Sequence, residues 1–386
     1  LWRASIGGSA AASKRSEFAG LVARKIEASN RGVAGPADEK GDERMSSSEA
    51  TGALPPPAQL IQMGTASFVS ALVYAAAKVG IADHLSEGPK SAAEAAGSLH
   101  LHAPTLHRFM RALASLGILT EQDGQRFALT PLGEALKTGA PGAARATLLS
   151  FCGPTFWRTW EHLKFSLETG KSAFNLTWGM PIFDYFGEHP DEAALFSQAM
   201  VGFHGAEPPA VAQAYDFSPF ETVVDVGGAT GNMLAEILCD YAGPRGILFD
   251  RPHVVQDAPD LLEARGVKDR VTIETGDFFE SVPAGADCYV LSHIIHDWND
   301  SQCATILGHC RKAIHPDGRL LIVENVLPPG DTPHLGKLMD MVMLVFPGGQ
   351  ERTEAEFAAL LERSGFRLDR VVPTASAVSV VEAIPT

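Results

Sequence analysis

TVVDVGGATG, residues 222–231, is a short β-branched run that ends in three glycines within five residues, followed by NMLAEILCD (232–240). The first run has the length and composition of a buried strand, the glycines those of a tight turn, and the second run helical spacing. Strand, glycine turn and helix together open a doubly wound α/β unit. The turn fits neither common phosphate loop. A dinucleotide fingerprint wants glycine at its first, third and sixth positions, and after Gly227 those places hold Ala229 and Asn232; a P-loop wants Gly-Lys-Ser/Thr, and no lysine is present.

Reading outward, strand and helix alternate to the end of the chain. GILFD (246–250), VTIETGDFF (271–279), ADCYVLSHI (286–294) and GRLLIVENV (318–326) read as further strands, with helices over SQCATILGHCRKAI, 334–345 and 353–364. RLDRVVPT and VSVVEAIP close the chain as adjacent strands. The expected fold class is α/β, a Rossmann-like doubly wound sheet with a late antiparallel addition. Ligands bind such sheets outside the carboxyl ends of the strands. Asp250 ends its strand nineteen residues past Gly231, where an acid receives ribose hydroxyls. Gly276, Asp277 and Phe278 end the next, offering a polar group and a ring to an adenine. These ends suit a nucleoside without phosphate, which describes S-adenosylmethionine.

The chain has 386 residues, room for two domains, with 45 % apolar and 20 % charged residues. Its formal charge is −15, which argues against nucleic acid as a partner. The longest apolar stretch, Thr65 to Ala82, is broken by Lys78 and reads as an amphipathic helix, so no membrane partner is expected. Five scattered cysteines without a C-x-x-C pair argue against disulfides and structural zinc, and no ligand cluster marks a metal. No apolar leader is visible, so a cytoplasmic location is expected.

Residues 1–44 hold eight Lys/Arg and six Asp/Glu and read as a tag or upstream sequence, with a transit peptide as the rival; 45–54 read as a tail. The expected organisation is 1–54 leader, 55–142 a winged-helix-like dimerisation domain, 143–215 a helical substrate region, and 216–386 the cofactor-binding catalytic domain. In 55–142, Ser91 and Glu94 form a capping box, Pro104 starts a helix with Leu106, Phe109, Met110, Leu113 and Leu116 on one face, and Asp123-Gly124 joins two short strands. Aromatics scattered through 143–215 read as helix packing or as a pocket for a flat ligand.

VVDVGGATG, LFDRPHVV, GDFF, HIIHDWND, ENVLPPG and PGGQERTEAEF occur in this order. Together they resemble the class I O-methyltransferases with an N-terminal dimerisation domain, the family of plant caffeic-acid and flavonoid enzymes, the animal hydroxyindole enzyme and bacterial natural-product enzymes. The resemblance covers about 85 % of the chain, from Gln59 to the end. It implies S-adenosylmethionine as cofactor, Asp225, Gly227, Gly228, Asp250, Gly276, Asp277, Phe278 and Ser292 beside it, and a homodimer. It also implies His296 as general base, with Glu324 and Glu351 as the flanking acids, an aromatic small molecule as acceptor, and no metal. Met200, Phe203, Met341, Met343 and Phe346 are candidate acceptor walls, equally readable as core.

A phenol near ~10 and an imidazole near ~6.5 differ by about 3.5 units, roughly 5 kcal/mol for complete proton transfer. Holding two reactants in line supplies ~7–11 kcal/mol, so coupled deprotonation and attack are feasible. His293 is read as lying within its strand and structural, Asp300 as a helix N-cap, and Trp298 as packing. Two departures from the plant pattern stand out: Ser292 replaces a lysine, and Phe346 an asparagine. The rival readings are a decarboxylase or hydroxylase on the same fold, and a winged-helix regulator that senses a ligand.

Overall fold

The computed structural model describes residues 54–386. The expected leader, 1–44, and nearly all of the expected tail, 45–54, lie outside the described residues. Two compact units emerge, one made of residues up to 73 with 81–134, the other of 74–80 with 135–386.

The first unit holds most of helix α1 (Pro56–Val79), then α2 (Ile81–His84), β1 (Lys90–Ser91), α3 (Ala92–Leu99), α4 (Ala103–Ser115), β2 (Leu119–Gln122), β3 (Arg126–Leu129) and α5 (Pro131–Glu134). β3 pairs antiparallel with β1 and β2, giving the order β1-β3-β2. The Ser91 hydroxyl accepts from the Glu94 amide while the Glu94 carboxylate accepts from the Ser91 amide, the expected capping box. Leu106, Met110 and Leu113 are buried, as the spacing predicts, while Phe109 and Leu116 of the same predicted face are half-buried. α1 is long and apolar enough to cross a membrane by composition, and Leu60, Ile61, Met63 and Phe68 on it are all at least 66 % exposed. Among the described residues nothing covers these four side chains.

The second unit begins with a helical stretch: α6 (Ala144–Phe151), α7 (Pro154–Trp160), α8 (Leu163–Thr169), α9 (Ala173–Trp178), α10 (Ile182–Glu188), α11 (Pro190–His204) and α12 (Glu207–Ala214). The α/β part follows, with β4 (Thr222–Val226), α13 (Asn232–Asp240), β5 (Arg245–Asp250), α14 (Ala258–Ala264), β6 (Val271–Thr275), β7 (Cys288–Ser292), α15 (Asp300–Ala313), β8 (Arg319–Glu324), β9 (Val326–Leu327), α16 (Leu335–Val345), β10 (Arg352–Thr353), α17 (Glu354–Arg363), β11 (Phe366–Pro373) and β12 (Ser379–Pro385).

Seven strands form one sheet in the order β11-β12-β8-β7-β4-β5-β6. β8, β7, β4, β5 and β6 are mutually parallel; β12 runs antiparallel to β8 and to β11, the late antiparallel addition. Strand order reverses between β4 and β7, so the crevice of this sheet opens beyond Val226 and Ser292. Apolar cores cover both faces: Leu234, Ile237 and Leu238 of α13 lie in one, Ile306 and Leu307 of α15 with Phe357 and Leu361 of α17 in the other. A third, aromatic core joins Phe156, Phe174 and Tyr185 of the helical stretch to Val345 and Phe346. All five cysteines are thiols.

Candidate active site

Beyond the first turn, Asp250, Ser292 and Glu324 end their strands, Asp277 and His296 lie just past one, and Glu351 stands immediately before β10. Gly227 (φ +72°), Ala229 (φ +50°) and Gly231 (φ +79°) bend the chain from β4 into α13. The glycines are needed for a reason other than ligand approach. A Cβ on Gly227 would lie 2.4 Å from Ile294 Cδ1, one on Gly228 2.5 Å from the Asp225 carboxylate, and one on Gly276 2.7 Å from the Phe249 ring. Protein side chains already fill those spaces. Asp225 sits beneath the turn, where burial pushes its carboxyl up to about 7.

Asp250 ties the turn to β5. Its Oδ2 accepts from the Ala229 amide at 2.9 Å and its Oδ1 from the Arg251 amide at 2.7 Å. Burial raises its pKa, against those two donors. Asp277 Oδ1 accepts from the Phe279 amide at 2.8 Å, and the Phe278 ring reaches within 3.5 Å of the Gly227 Cβ position. Ser292 is the last residue of β7 and half-buried. Two carboxylates with free lone pairs and an aromatic ring line the strand ends next to the turn. That donor set fits a nucleoside's hydroxyls and base.

His296 lies in a 3₁₀ turn, Ile295–Asp297, just past β7, and is 6 % exposed. Its Nδ1 is 3.0 Å from Glu351 Oε1, and its backbone N–H donates to Glu324 Oε1 at 2.9 Å. Nε2 has Asp297 Oδ1 at 3.7 Å, beyond hydrogen-bond range. Burial disfavours the imidazolium, but the hydrogen bond to Glu351 and the charges of Asp297 and Glu324 outweigh it, so the pKa is pushed up to about 10. Burial in turn lifts Glu324 to about 7 and Asp297 to about 6.

The turn is held from behind by Gly348–Thr353. β10 pairs in parallel with β9, Arg352 opposite Val326, and this brings Glu351 beside the end of β8 where Glu324 stands. The Gln350 amide donates to the His296 carbonyl at 2.9 Å, and a Cβ on Gly349 would fall 2.0 Å from that oxygen. Arg352, 0 % exposed, donates to the carbonyls of Ile295 at 3.0 Å and Trp298 at 3.2 Å, and pairs with Asp300 at 2.9 Å. Its role was invisible in QERT, because nothing in that string says where the guanidinium points.

Three readings are corrected. His293 is not in the strand: β7 stops at Ser292, and His293 takes φ +55° immediately after it. Its Nε2 lies 2.6 Å from Glu207 Oε2, which also receives His204 Nδ1 at 2.9 Å. Asp300 is not the cap of α15; Asn299 is, accepting from the Ser301 and Gln302 amides, while Asp300 pairs with Arg352 and Arg363. And ligand-type clusters do exist: His204, Glu207 and His293 form one, His296, Glu324 and Glu351 another, each with its ligand-type atoms within 4.8 Å of one another. Sequence spacing hides both, since each is drawn from three separate segments or across a helix break.

Trp298 packs edge-on against Phe279 at 4.8 Å, as expected. Of the acceptor-wall candidates, Phe203 is 42 % exposed and Met200 and Met341 are half-buried. Met343 is 8 % and Phe346 2 % exposed; the Phe346 ring is enclosed by Phe156 at 4.3 Å and Trp160 at 5.5 Å, so it packs as core.

A parallel sheet reversing at β4/β7, a phosphate-free nucleoside cradle and a carboxylate-backed histidine define a class I methyltransferase. Residues 160–367 match the O-methyltransferase domain and 61–139 the O-methyltransferase dimerisation domain. The chain belongs to this family of S-adenosylmethionine-dependent O-methyltransferases. It is 43 % identical to the phenazine O-methyltransferase PhzM of Lysobacter antibioticus over 88 % of this chain and all of that one. The crystal structure of LaPhzM superposes with a TM-score of 0.82, at 43 % identity, covering 86 % of this chain and 100 % of that one. The neocarzinostatin O-methyltransferase NcsB1, solved with S-adenosylmethionine and 2-hydroxy-5-methyl naphthoic acid, superposes at 0.73, with 30 % identity over 82 % and 96 % of the two chains.

Proposed function

We propose that this enzyme methylates a hydroxyl of an aromatic small molecule, a bacterial-type secondary metabolite such as a phenazine or an aromatic polyketide, with His296 as general base. The observation that carries the reading is the buried pair of His296 Nδ1 and Glu351 Oε1 at 3.0 Å. Glu351 holds the tautomer with Nδ1 protonated, leaving the Nε2 lone pair for the acceptor's proton. The Glu351 hydrogen bond and the neighbouring acids raise the His296 pKa toward that of a phenol, which narrows the ~3.5-unit mismatch of an ordinary histidine.

Asp250, Asp277, Phe278 and Ser292 would hold S-adenosylmethionine, which would supply the electrophilic methyl. The protein's task is to orient the acceptor oxygen and to receive its proton at Nε2. Arg352 and Gln350 fix the backbone of the base, and Glu324 anchors its amide. Phe203 and Met200 offer an apolar face to a flat acceptor. NcsB1, bound to a naphthoic acid, and PhzM, named for phenazines, are relatives whose acceptors are flat and aromatic.

The match over 61–139 and the exposed apolar residues of α1 support a homodimer formed through the N-terminal unit. The reading also keeps the enzyme in the cytoplasm and the helical segment 143–215 as acceptor region. Labelled-methyl transfer to a panel of phenazines, hydroxynaphthoic acids and catechols tests the acceptor class. Label in an aromatic ether is expected. Label confined to amines or carboxylates would overturn it.

A further inference from the structure

Glu207 opens α12, with only Gly205 and Ala206 between it and the end of α11 at His204, and is 7 % exposed. Burial opposes its charge, but hydrogen bonds from His204 and His293 hold its carboxyl down to about 2. An ionised carboxylate only accepts, so His204 Nδ1 and His293 Nε2, both facing Oε2, each carry a proton.

That assignment decides the other side of the His293 ring. Its Nδ1 is buried and has no hydrogen-bond partner among the described residues. Burial, with His204 and His296 nearby, pushes the pKa down to about 4 against the pull of Glu207, so the ring is neutral and Nδ1 is a bare lone pair. Buried acceptors are nearly always paired, and one left open beside a reaction centre marks a place for a donor. The ring centre is 5.1 Å from that of His296 and 3.9 Å from that of His204, whose own neighbour is Phe203 at 5.2 Å. Left-handed backbone at a non-glycine residue is a strained position, kept here by Glu207 at one end and by the His293 amide bonded to the Val323 carbonyl at the other.

We propose that His293, locked by Glu207 and His204, is a ligand-binding residue whose Nδ1 accepts a hydrogen bond from an N–H or O–H donor held beside His296. Two sources supply such a donor: the α-ammonium of the cofactor, and a hydroxyl or amine adjacent to the methylated hydroxyl of the acceptor. The proposal rests on the reading that transfer takes place at His296.

Calorimetric binding without turnover tests it, so failure of His296 as the base leaves the readout intact. The full chain is titrated in EDTA with S-adenosylhomocysteine and with 5′-methylthioadenosine, which lacks the amino-acid end. Catechol and phenol are then compared on the S-adenosylhomocysteine complex. His293→Phe removes the acceptor; His293→Asn keeps an acceptor near the Nδ1 position and tolerates left-handed backbone. Glu207→Gln removes the lock and leaves His293 in place.

If the donor is the α-ammonium, the homocysteine-to-methylthioadenosine affinity ratio falls about tenfold in His293→Phe and Glu207→Gln and returns in His293→Asn. If the donor is on the acceptor, the catechol-to-phenol ratio falls instead. Unchanged methylthioadenosine affinity certifies the fold of each variant. Neither ratio moving by more than about twofold overturns the proposal. So does a wild-type ratio that differs with and without EDTA, because the cluster would then hold a cation.

Discussion

Nδ1 of His296 and Oε1 of Glu351 stand 3.0 Å apart, fifty-five residues distant in the chain, with both side chains buried. The pair sets the basicity of the site as well as the orientation of the ring. Glu351 is itself oriented, its amide donating to Asp340 Oδ1 at 2.9 Å from α16. Removing the carboxylate charge while keeping the shape should therefore alter both properties.

Glu351→Gln lowers the His296 pKa, since the imidazolium loses its main partner. A base works only when deprotonated, so activity of the free enzyme rises with pH toward about 10 in the wild type. The profile of kcat/KM in Glu351→Gln should shift to lower pH, with a maximum about 10- to 100-fold lower. An unshifted profile would separate Glu351 from the base.

Asp250 holds the Ala229 and Arg251 amides, and its proposed further role is to accept the cofactor's ribose hydroxyls. Asp250→Ala should weaken S-adenosylhomocysteine binding by at least about tenfold, the worth of one charge-assisted hydrogen bond, as read by calorimetry. Affinity within about twofold of wild type would remove Asp250 from the site.

Gly349→Ala places a methyl 2.0 Å from the His296 carbonyl, a backbone atom that cannot step aside. The 3₁₀ turn must move, and methyl transfer should fall by about 100-fold or more, since displacement of about 1 Å costs that much. S-adenosylhomocysteine affinity should change far less. A fully active variant would show that the loop does not set the base.

Much of this was readable because strand ends announce themselves. The run 222–231, Asp250, Asp277-Phe278 and His296 each follow a β-branched or apolar strand, so period and position located them. Glu324 and Glu351 came through resemblance alone, and the pairing of β9 with β10 that joins them is only two residues long, too short for any pattern. His204 and Glu207 gave no signal: they flank a helix break, and their partner His293 sits in a left-handed turn that an imidazole does not advertise. Phe346 stayed open between two readings for the opposite reason. An apolar helix-end residue looks the same in a pocket wall as in a core, and only its enclosure by Phe156 and Trp160 separates the two.

Arg352 shows how much rests on a residue that touches no ligand. It donates to the carbonyls on both sides of His296–Asp297 and pairs with Asp300. Arg352→Met removes its hydrogen bonds to both carbonyls and one of the two arginines paired with Asp300, at a cost of about 1–3 kcal/mol. Thermal unfolding should show a clear fall in midpoint, with a smaller one in Arg352→Lys. An unchanged midpoint in Arg352→Met would contradict the clamp.

The central claim is that His296 takes the acceptor's proton. Transfer of labelled methyl from S-adenosylmethionine is measured for wild type and His296→Ala in parallel, against the acceptor the panel identifies. The account predicts a fall of about 10²–10⁴-fold in the variant with cofactor affinity preserved. Equal transfer by the two proteins would contradict it.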